Sequence, residues 1–203
     1  MTRWYSEKKR EHFYKEAKRV GYRARSAFKL KQIQKKFRIM QEGDAVIDLG
    51  AAPGGWSQVA KELVGEGGTV IGIDLLRIEP INGVTFLRGD LTKEPTLQKI
   101  MQIVGDDKAD ILLSDMSPNI SGNYSIDQAR SIYLCEQALK TTENLLKDGG
   151  YFVCKIFAGE DTGDFIQKVH QKFKAVKCYS PPASRKSSSE LYVVARSFHK
   201  SHV

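Results

Sequence analysis

Cysteine is scarce in this 203-residue chain. There are three, Cys135, Cys154 and Cys178, with no Cys-x-x-Cys pair among them. An odd, scattered set argues against a disulfide framework or a thiolate metal site. Each lies in an apolar pattern, so buried free thiols in a reducing cytoplasm are expected. Also missing is any apolar run near the roughly 20 residues that cross a bilayer. Met1 to Lys8 contain no hydrophobic signal segment either. No membrane attachment is expected, and the cytoplasm is the expected location. No internal repeat or low-complexity linker interrupts the chain. What is present, 41% hydrophobic and 28% charged residues, suits one α/β or α+β domain with a real core and a short appendage.

Negative charge is nearly absent from one end. Residues 1–38 hold 14 Lys/Arg against three Glu, a balance of +11, whereas the remainder holds 18 against 21, or −3. Segregated positive charge suggests a polyanionic partner. Trp4, Tyr5, Phe13, Tyr14, Tyr22, Phe28 and Phe37 interleave with the basic groups, as in proteins that bind single-stranded nucleic acid. A merely solvated basic helix is the plainer alternative. Residues 1–38 are therefore read as a basic helical extension and 39–203 as the main domain.

Helical patterns cover 6–19 and 23–37. From Ala45 onward strands and helices alternate. Strand-like runs occupy 45–49, 69–75, 84–88, 109–114, 151–157, 175–179 and 191–198; helical patterns fit 55–64, 95–104, 126–146 and 162–173. Gly149-Gly150 read as the stop of the longest helix. Such alternation calls for a mostly parallel seven-stranded sheet with helices on both faces. About eleven residues separate Tyr179 from Leu191, too few for a crossover helix, so the last strand is expected to return antiparallel.

The densest stretch is Val46-Ile47-Asp48-Leu49-Gly50-Ala51-Ala52-Pro53-Gly54-Gly55-Trp56, a strand turning tightly into a helix. Its glycines permit close backbone approach to a ligand, or simply ease the turn. Ligands of parallel sheets bind beyond the carboxyl ends of the strands. There stand Asp48, Asp74, Asp90 and Asp115, each of which alone reads as a turn former or cap. The dinucleotide pattern Gly-x-Gly-x-x-Gly is absent, and Pro53 withholds an amide from a pyrophosphate. Several acids suit a ligand with ribose hydroxyls and positive charge, such as S-adenosylmethionine: Asp74 for the ribose, Asp90 near the adenine. A dinucleotide oxidoreductase is the direct competitor.

Lys155 interrupts an apolar strand, Tyr151-Phe152-Val153-Cys154-Lys155-Ile156-Phe157, and must emerge at its end or be paired. Glu190, opening an antiparallel last strand, is carried to the same rim. A lysine between Asp115 and Glu190 is either an ion-pair cluster or a proton-handling site. Lys29, on the second helix, is not marked out by its neighbours.

Four segments together resemble the FtsJ/RrmJ-type RNA ribose 2′-O-methyltransferases. They are Asp48 to Gln58, Ser114-Asp115-Met116-Ser117-Pro118-Asn119, Val153 to Phe157 and Ser187-Ser188-Ser189-Glu190-Leu191-Tyr192; Tyr22 to Leu30 also matches. The resemblance runs from about Gly21 to Ala195. It implies a Rossmann-like class I S-adenosylmethionine-dependent methyltransferase fold. It also implies a Lys-Asp-Lys-Glu tetrad at Lys29, Asp115, Lys155 and Glu190, and cofactor positions at Gly54, Trp56, Asp74, Asp90 and Asp115. With Gly50, Pro53, Gly55, Leu75 and Leu91 these form the expected cofactor set.

The implied reaction is methylation of a ribose 2′-hydroxyl of RNA, expected to be a uridine of large-subunit ribosomal RNA in a ribosomal particle, by a monomer and without a metal. Transfer RNA or a messenger cap are alternative substrates, and a noncatalytic RNA-binding module is a remoter one. Lys155 is the expected proton acceptor. If it stays charged, it orients the hydroxyl and Asp115 accepts the proton. The loop Pro118 to Ser125 is a candidate wall for the target nucleotide, its Gly and Asn being equally good turn formers.

Overall fold

The computed structural model describes residues 13–184 and 189–200. Trp4, Tyr5, the first half of the 6–19 helical pattern, Ser187 and Ser188 lie outside the described residues. Residues 13–20 are helical (α1). The elements that follow are α2 (Ala27–Phe37), β1 (Ala45–Leu49), α3 (Gly55–Val64), β2 (Thr69–Asp74), β3 (Val84–Arg88), α4 (Glu94–Val104) and β4 (Ala109–Ser114), then α5 (Tyr124–Leu145), β5 (Leu146–Phe157), α6 (Thr162–His170), β6 (Phe173–Tyr179) and β7 (Glu190–Phe198). The expected α/β architecture is present.

One sheet has the order β3-β2-β1-β4-β5-β7-β6. The chain winds outward from β1 to β3, then returns to β4 on the other side of β1. This creates a crevice between β1 and β4 at their carboxyl ends, where parallel sheets place ligands. β7 pairs antiparallel with both β5 and β6, as the short connection requires.

Alternation along the strands sorts the core into two layers. Val46, Val70, Ile111, Leu113, Val153, Tyr192 and Val194 pack with Ala27, Leu30 and Ile33 of α2 and with Trp56, Val59 and Ala60 of α3. Ile47, Leu49, Ile71, Ile73, Leu112, Phe152 and Cys154 pack with α4, α5 and α6 through Ile100, Cys135, Ala138, Leu139, Phe165 and Val169. Thus α2 lies inside the fold's own core, with Leu30 and Ile33 fully buried. Helix α1 joins it through Ala17, which is buried, and through Phe13, whose ring lies 5.4 Å from that of Phe28.

Two expectations are corrected. Gly149 and Gly150 do not stop the long helix: α5 ends at Leu145 and β5 begins at once. The glycines instead sit where the β4–β5 register shifts, between Ala109↔Leu146 and Ile111↔Tyr151. Cys135 and Cys154 are buried free thiols, but Cys178 is exposed on β6, an edge strand with one side of its apolar pattern open to solvent.

Candidate active site

The strand ends set the stage. Leu49 is in register with Ser114 across β1 and β4, so Gly50 and Asp115 are the first residues past the sheet on either side of the crevice. A cavity of about 500 Å³ opens there, a size suited to a small organic ligand. Its walls include Gly50, Ala52, Asp74, Leu75, Asp90, Leu91 and Asp115. Leu75 and Leu76 are each nearly two-thirds exposed, an apolar surface that a flat aromatic ligand can cover.

The acids differ in their surroundings. Asp74 accepts hydrogen bonds from the Ala52 amide at 2.9 Å and the Leu76 amide at 2.8 Å, tying the Gly-rich turn to the end of β2. Asp90 accepts from the Thr92 amide at 2.9 Å and hydroxyl at 2.7 Å, and those bonds hold its carboxyl below the usual range. Both are turn formers that also face the cavity, so neither reading excludes the other. Asp48 is a different case. It is fully buried inside β1, accepts from the Ser57 hydroxyl at 2.6 Å, and does not line the cavity. Burial pushes its carboxyl up to about 7, with Asp115 and Asp74 adding to the rise and Ser57 opposing it. Its other oxygen, Oδ1, has no hydrogen-bond partner among the described residues.

The glycines of the turn make room chiefly for protein. A Cβ on Gly50 would lie 2.5 Å from the Met116 side chain. One on Gly54 would lie 3.0 Å from Ile81 and 3.3 Å from the Arg23 guanidinium, and one on Gly55 3.0 Å from the Ala24 methyl. Gly50 and Gly54 also adopt φ of +72° and +109°, conformations open to glycine. Pro53, Gly54, Gly55 and Trp56 do not line the cavity. The Trp56 ring lies in the core. Its indole N–H donates to the Ser26 carbonyl at 2.9 Å, and the ring stacks on Tyr192 with centroids 5.6 Å apart.

The tetrad residues, by contrast, converge. Lys155 shares a strand face with Val153, and β7 places Tyr192 directly opposite it in register, so both look toward α2. Lys155 Nζ donates to the Asp115 carbonyl at 2.5 Å and lies 3.2 Å from Asp115 Oδ1. Lys29, on the first turn of α2, is ion-paired with Glu190 Oε1. Both ammonium groups are largely buried. The two pairs are joined by a residue that sequence spacing did not single out. The Tyr192 hydroxyl is 2.8 Å from both Asp115 Oδ1 and Glu190 Oε1. A phenol between the two carboxylates, with a lysine on each outer side, therefore replaces the expected lysine between two acids. The signal in sequence was weak: an alternating β-strand makes an inward tyrosine ordinary.

Electrostatics fix the states of Glu190 and Tyr192. Burial raises the Glu190 carboxyl, but the charge and hydrogen bond of Lys29, with help from Tyr192, outweigh it and hold the carboxyl below its usual value. Burial, then the charges of Asp115 and Glu190, push the Tyr192 phenol well above its ordinary value, so it keeps its proton. That single proton is donated to one carboxylate at a time. The outer rim is built by α5. Asp127 accepts from the Ser121 amide and hydroxyl, Ser131 accepts from the Phe157 amide at 3.0 Å, and the Tyr124 hydroxyl donates to the Ala158 carbonyl. Together they fix the loops that follow Asp115 and Lys155, including the Pro118 to Ser125 segment.

The family model for FtsJ-like methyltransferases matches residues 22–198. A ribosomal RNA large subunit methyltransferase E from Methanothrix thermoacetophila is 50% identical over 187 residues, covering 92% of this chain and 72% of that protein. Its namesake from Methanobrevibacter smithii is 47% identical over 199 residues, covering 97% and 94% respectively. Among solved structures, a Plasmodium falciparum chain described as a ribosomal RNA methyltransferase superposes with a TM-score of 0.80 at 29% identity, over 87% of this chain and 98% of that one.

Proposed function

Because this chain belongs to the FtsJ-like methyltransferase family, we propose that it methylates a ribose 2′-hydroxyl of large-subunit ribosomal RNA, with S-adenosylmethionine as methyl donor. The observation that carries this reading is the double position of Asp115. It lines the cavity beyond β1 and β4, and it holds Lys155 within the tetrad. A ligand in the cavity and a nucleotide at the lysines are thus brought to one carboxylate.

The cavity suits the donor. Asp74 and Asp90 retain acceptor capacity toward ribose hydroxyls and an amino group, while Leu75, Leu76 and Leu91 offer an apolar wall. When bound, S-adenosylmethionine supplies a methyl group activated by its sulfonium. The chain's own residues then position the hydroxyl and manage its proton. In its neutral amine form Lys155 takes the hydroxyl proton as the oxygen attacks the methyl group, and Asp115 holds and orients the resulting ammonium through two contacts. Lys29 and Glu190 neutralise each other at the far side of the site, and Tyr192 keeps the Asp115 and Glu190 carboxylates at a fixed separation.

The basic segment 1–38, apart from Lys29 in the tetrad and Arg23, whose guanidinium is bonded to backbone carbonyls, supplies phosphate contacts to the RNA. The high identity to proteins named large subunit methyltransferase E supports ribosomal RNA over transfer RNA or a messenger cap. A uridine target, action on a ribosomal particle, a monomeric state and a cytoplasmic location complete the proposal. Among the described residues no helix is long and apolar enough to cross a membrane.

The test uses two variants with methyl-tritiated cofactor and ribosomal particles, naked ribosomal RNA and transfer RNA. Lys155→Ala is expected to abolish label transfer while retaining S-adenosylhomocysteine binding by calorimetry. Lys155→Arg, which is permanently charged and so cannot act as a base, is expected to be equally inactive. Full activity of the alanine variant removes the catalytic assignment. Activity in the arginine variant alone transfers the proton-accepting role to Asp115.

A further inference from the structure

Arg23 stands six residues before Lys29 and belongs neither to the tetrad nor to the cofactor set. Its guanidinium donates to three carbonyls from two separate segments: Nη1 to Glu79 at 2.5 Å and to Pro53 at 3.3 Å, and Nη2 to Pro80 at 2.7 Å. Pro53 belongs to the turn between β1 and α3. Glu79 and Pro80 belong to the loop after β2, whose first residues, Leu75 and Leu76, form a wall of the cavity. The arginine is itself anchored. Its backbone amide donates to Gln58 Oε1 at 2.8 Å, and Gln58 Nε2 donates to the Gly21 carbonyl at 3.0 Å. Gly54 is bare where the guanidinium passes, for a Cβ there would lie 3.3 Å from Nη1 and 3.4 Å from Cδ.

Three elements thus meet at one side chain: the turn, the loop, and the segment leading into α2. The turn and loop are the two walls of the cavity nearest β1 and β2, and α2 carries Lys29. A planar guanidinium is a rigid fork of donors that holds carbonyls of two segments in fixed relation, whereas a lysine ammonium on a flexible stem does not fix their geometry.

We propose that Arg23 is a positioning residue for the methyl donor: it clamps the 75–81 loop against the Gly-rich turn and so sets the width of the cofactor cavity in register with Lys29. This rests on the reading of the cavity as the S-adenosylmethionine site. The clamp touches neither the reacting atoms nor the tetrad carboxylates. Its removal therefore acts on cofactor affinity and leaves the chemical step intact once the cofactor is bound.

The experiment compares wild type, Arg23→Ala and Arg23→Lys for cofactor KM, kcat at saturating cofactor, RNA affinity, and thermal stability with and without S-adenosylhomocysteine. Cofactor KM is expected to rise about tenfold, roughly what one charge-assisted hydrogen bond contributes. The ligand-induced rise in Tm should shrink, with kcat and RNA affinity within about twofold of wild type. The lysine variant keeps the apolar stem against Gly54 and is the folded control; it should show the same cofactor defect. An unchanged cofactor KM in folded Arg23→Lys overturns the proposal, as does a loss of RNA affinity with cofactor binding intact. If wild type fails to bind S-adenosylhomocysteine at all, the cavity reading fails instead, and the clamp with it.

Discussion

At the residue scale, the most informative side chain performs no chemistry. Asp48 is fully buried, and its carboxyl is pushed up to about 7 mainly by that burial. The sign follows directly. The folded value lies above the ordinary unfolded value near 3.9, so the folded state binds the extra proton between those limits. The stability this provides is fully present below about pH 4 and lost as pH rises through 7. Across that span the loss amounts to about 4 kcal/mol, as an order of magnitude. Asp48→Asn keeps an acceptor for Ser57 but cannot ionise. The variant should therefore gain Tm over wild type at pH 8.5, with the gain shrinking as pH falls and vanishing only below about pH 4; a difference independent of pH would show that Asp48 does not titrate in that range. Sequence placed Asp48 with the other strand-end acids because all four end an apolar run. Only the three-dimensional register shows it one residue short of the crevice. The pairing of Lys29 with Glu190 was equally invisible, since 161 residues separate them and neither has a distinctive local pattern.

Elements were more legible than contacts. All seven strands and the four helices after β1 fall close to where periodicity puts them, because each buries one face and the buried face recurs at its own period. The exceptions lie where a glycine answers to a neighbour rather than to its own helix or turn. Gly150 belongs to β5, where a Cβ would lie 2.9 Å from the Asp110 carbonyl and 2.8 Å from Leu146. Gly149 has open space around it but a φ of +82°. Gly150→Ala should cost about 1–3 kcal/mol through forced displacement of backbone. Gly149→Ala should cost about 1–2 kcal/mol through left-handed strain alone. Thermal melts of both variants distinguish these causes when combined with cofactor binding. The register of β4 with β5 carries Asp115 and Lys155, so only the Gly150 change should also weaken activity. Equal activity in both would place the bulge outside the control of the site.

At the scale of the whole molecule, charge and topology divide the work. The +11 of residues 1–38 lies against a −3 remainder, and phosphate contacts made by such a segment release counterions. RNA affinity should accordingly fall linearly on a log–log plot against salt, with a slope of roughly −0.7 per contact for single strands. Deleting residues 1–20 should make that slope shallower and weaken RNA binding while leaving S-adenosylhomocysteine affinity near wild type. An equal loss of both would make the segment a structural brace, which the burial of Ala17 and the Phe13–Phe28 contact also allow. The sequence by itself determined the α/β class, the antiparallel last strand, the segregated charge and the convergence of Asp115, Lys155 and Glu190 on one rim. Those follow from periodicity, loop length and strand direction, which are local or nearly so. Tertiary structure alone decided that Tyr192 joins the two carboxylates, that Trp56 supports the site from the core, and that Arg23 ties the turn to its neighbouring loop. Those depend on which face of one element meets which face of another across long stretches of chain. No local pattern encodes that meeting, because the same alternation would serve any partner of the right size and polarity.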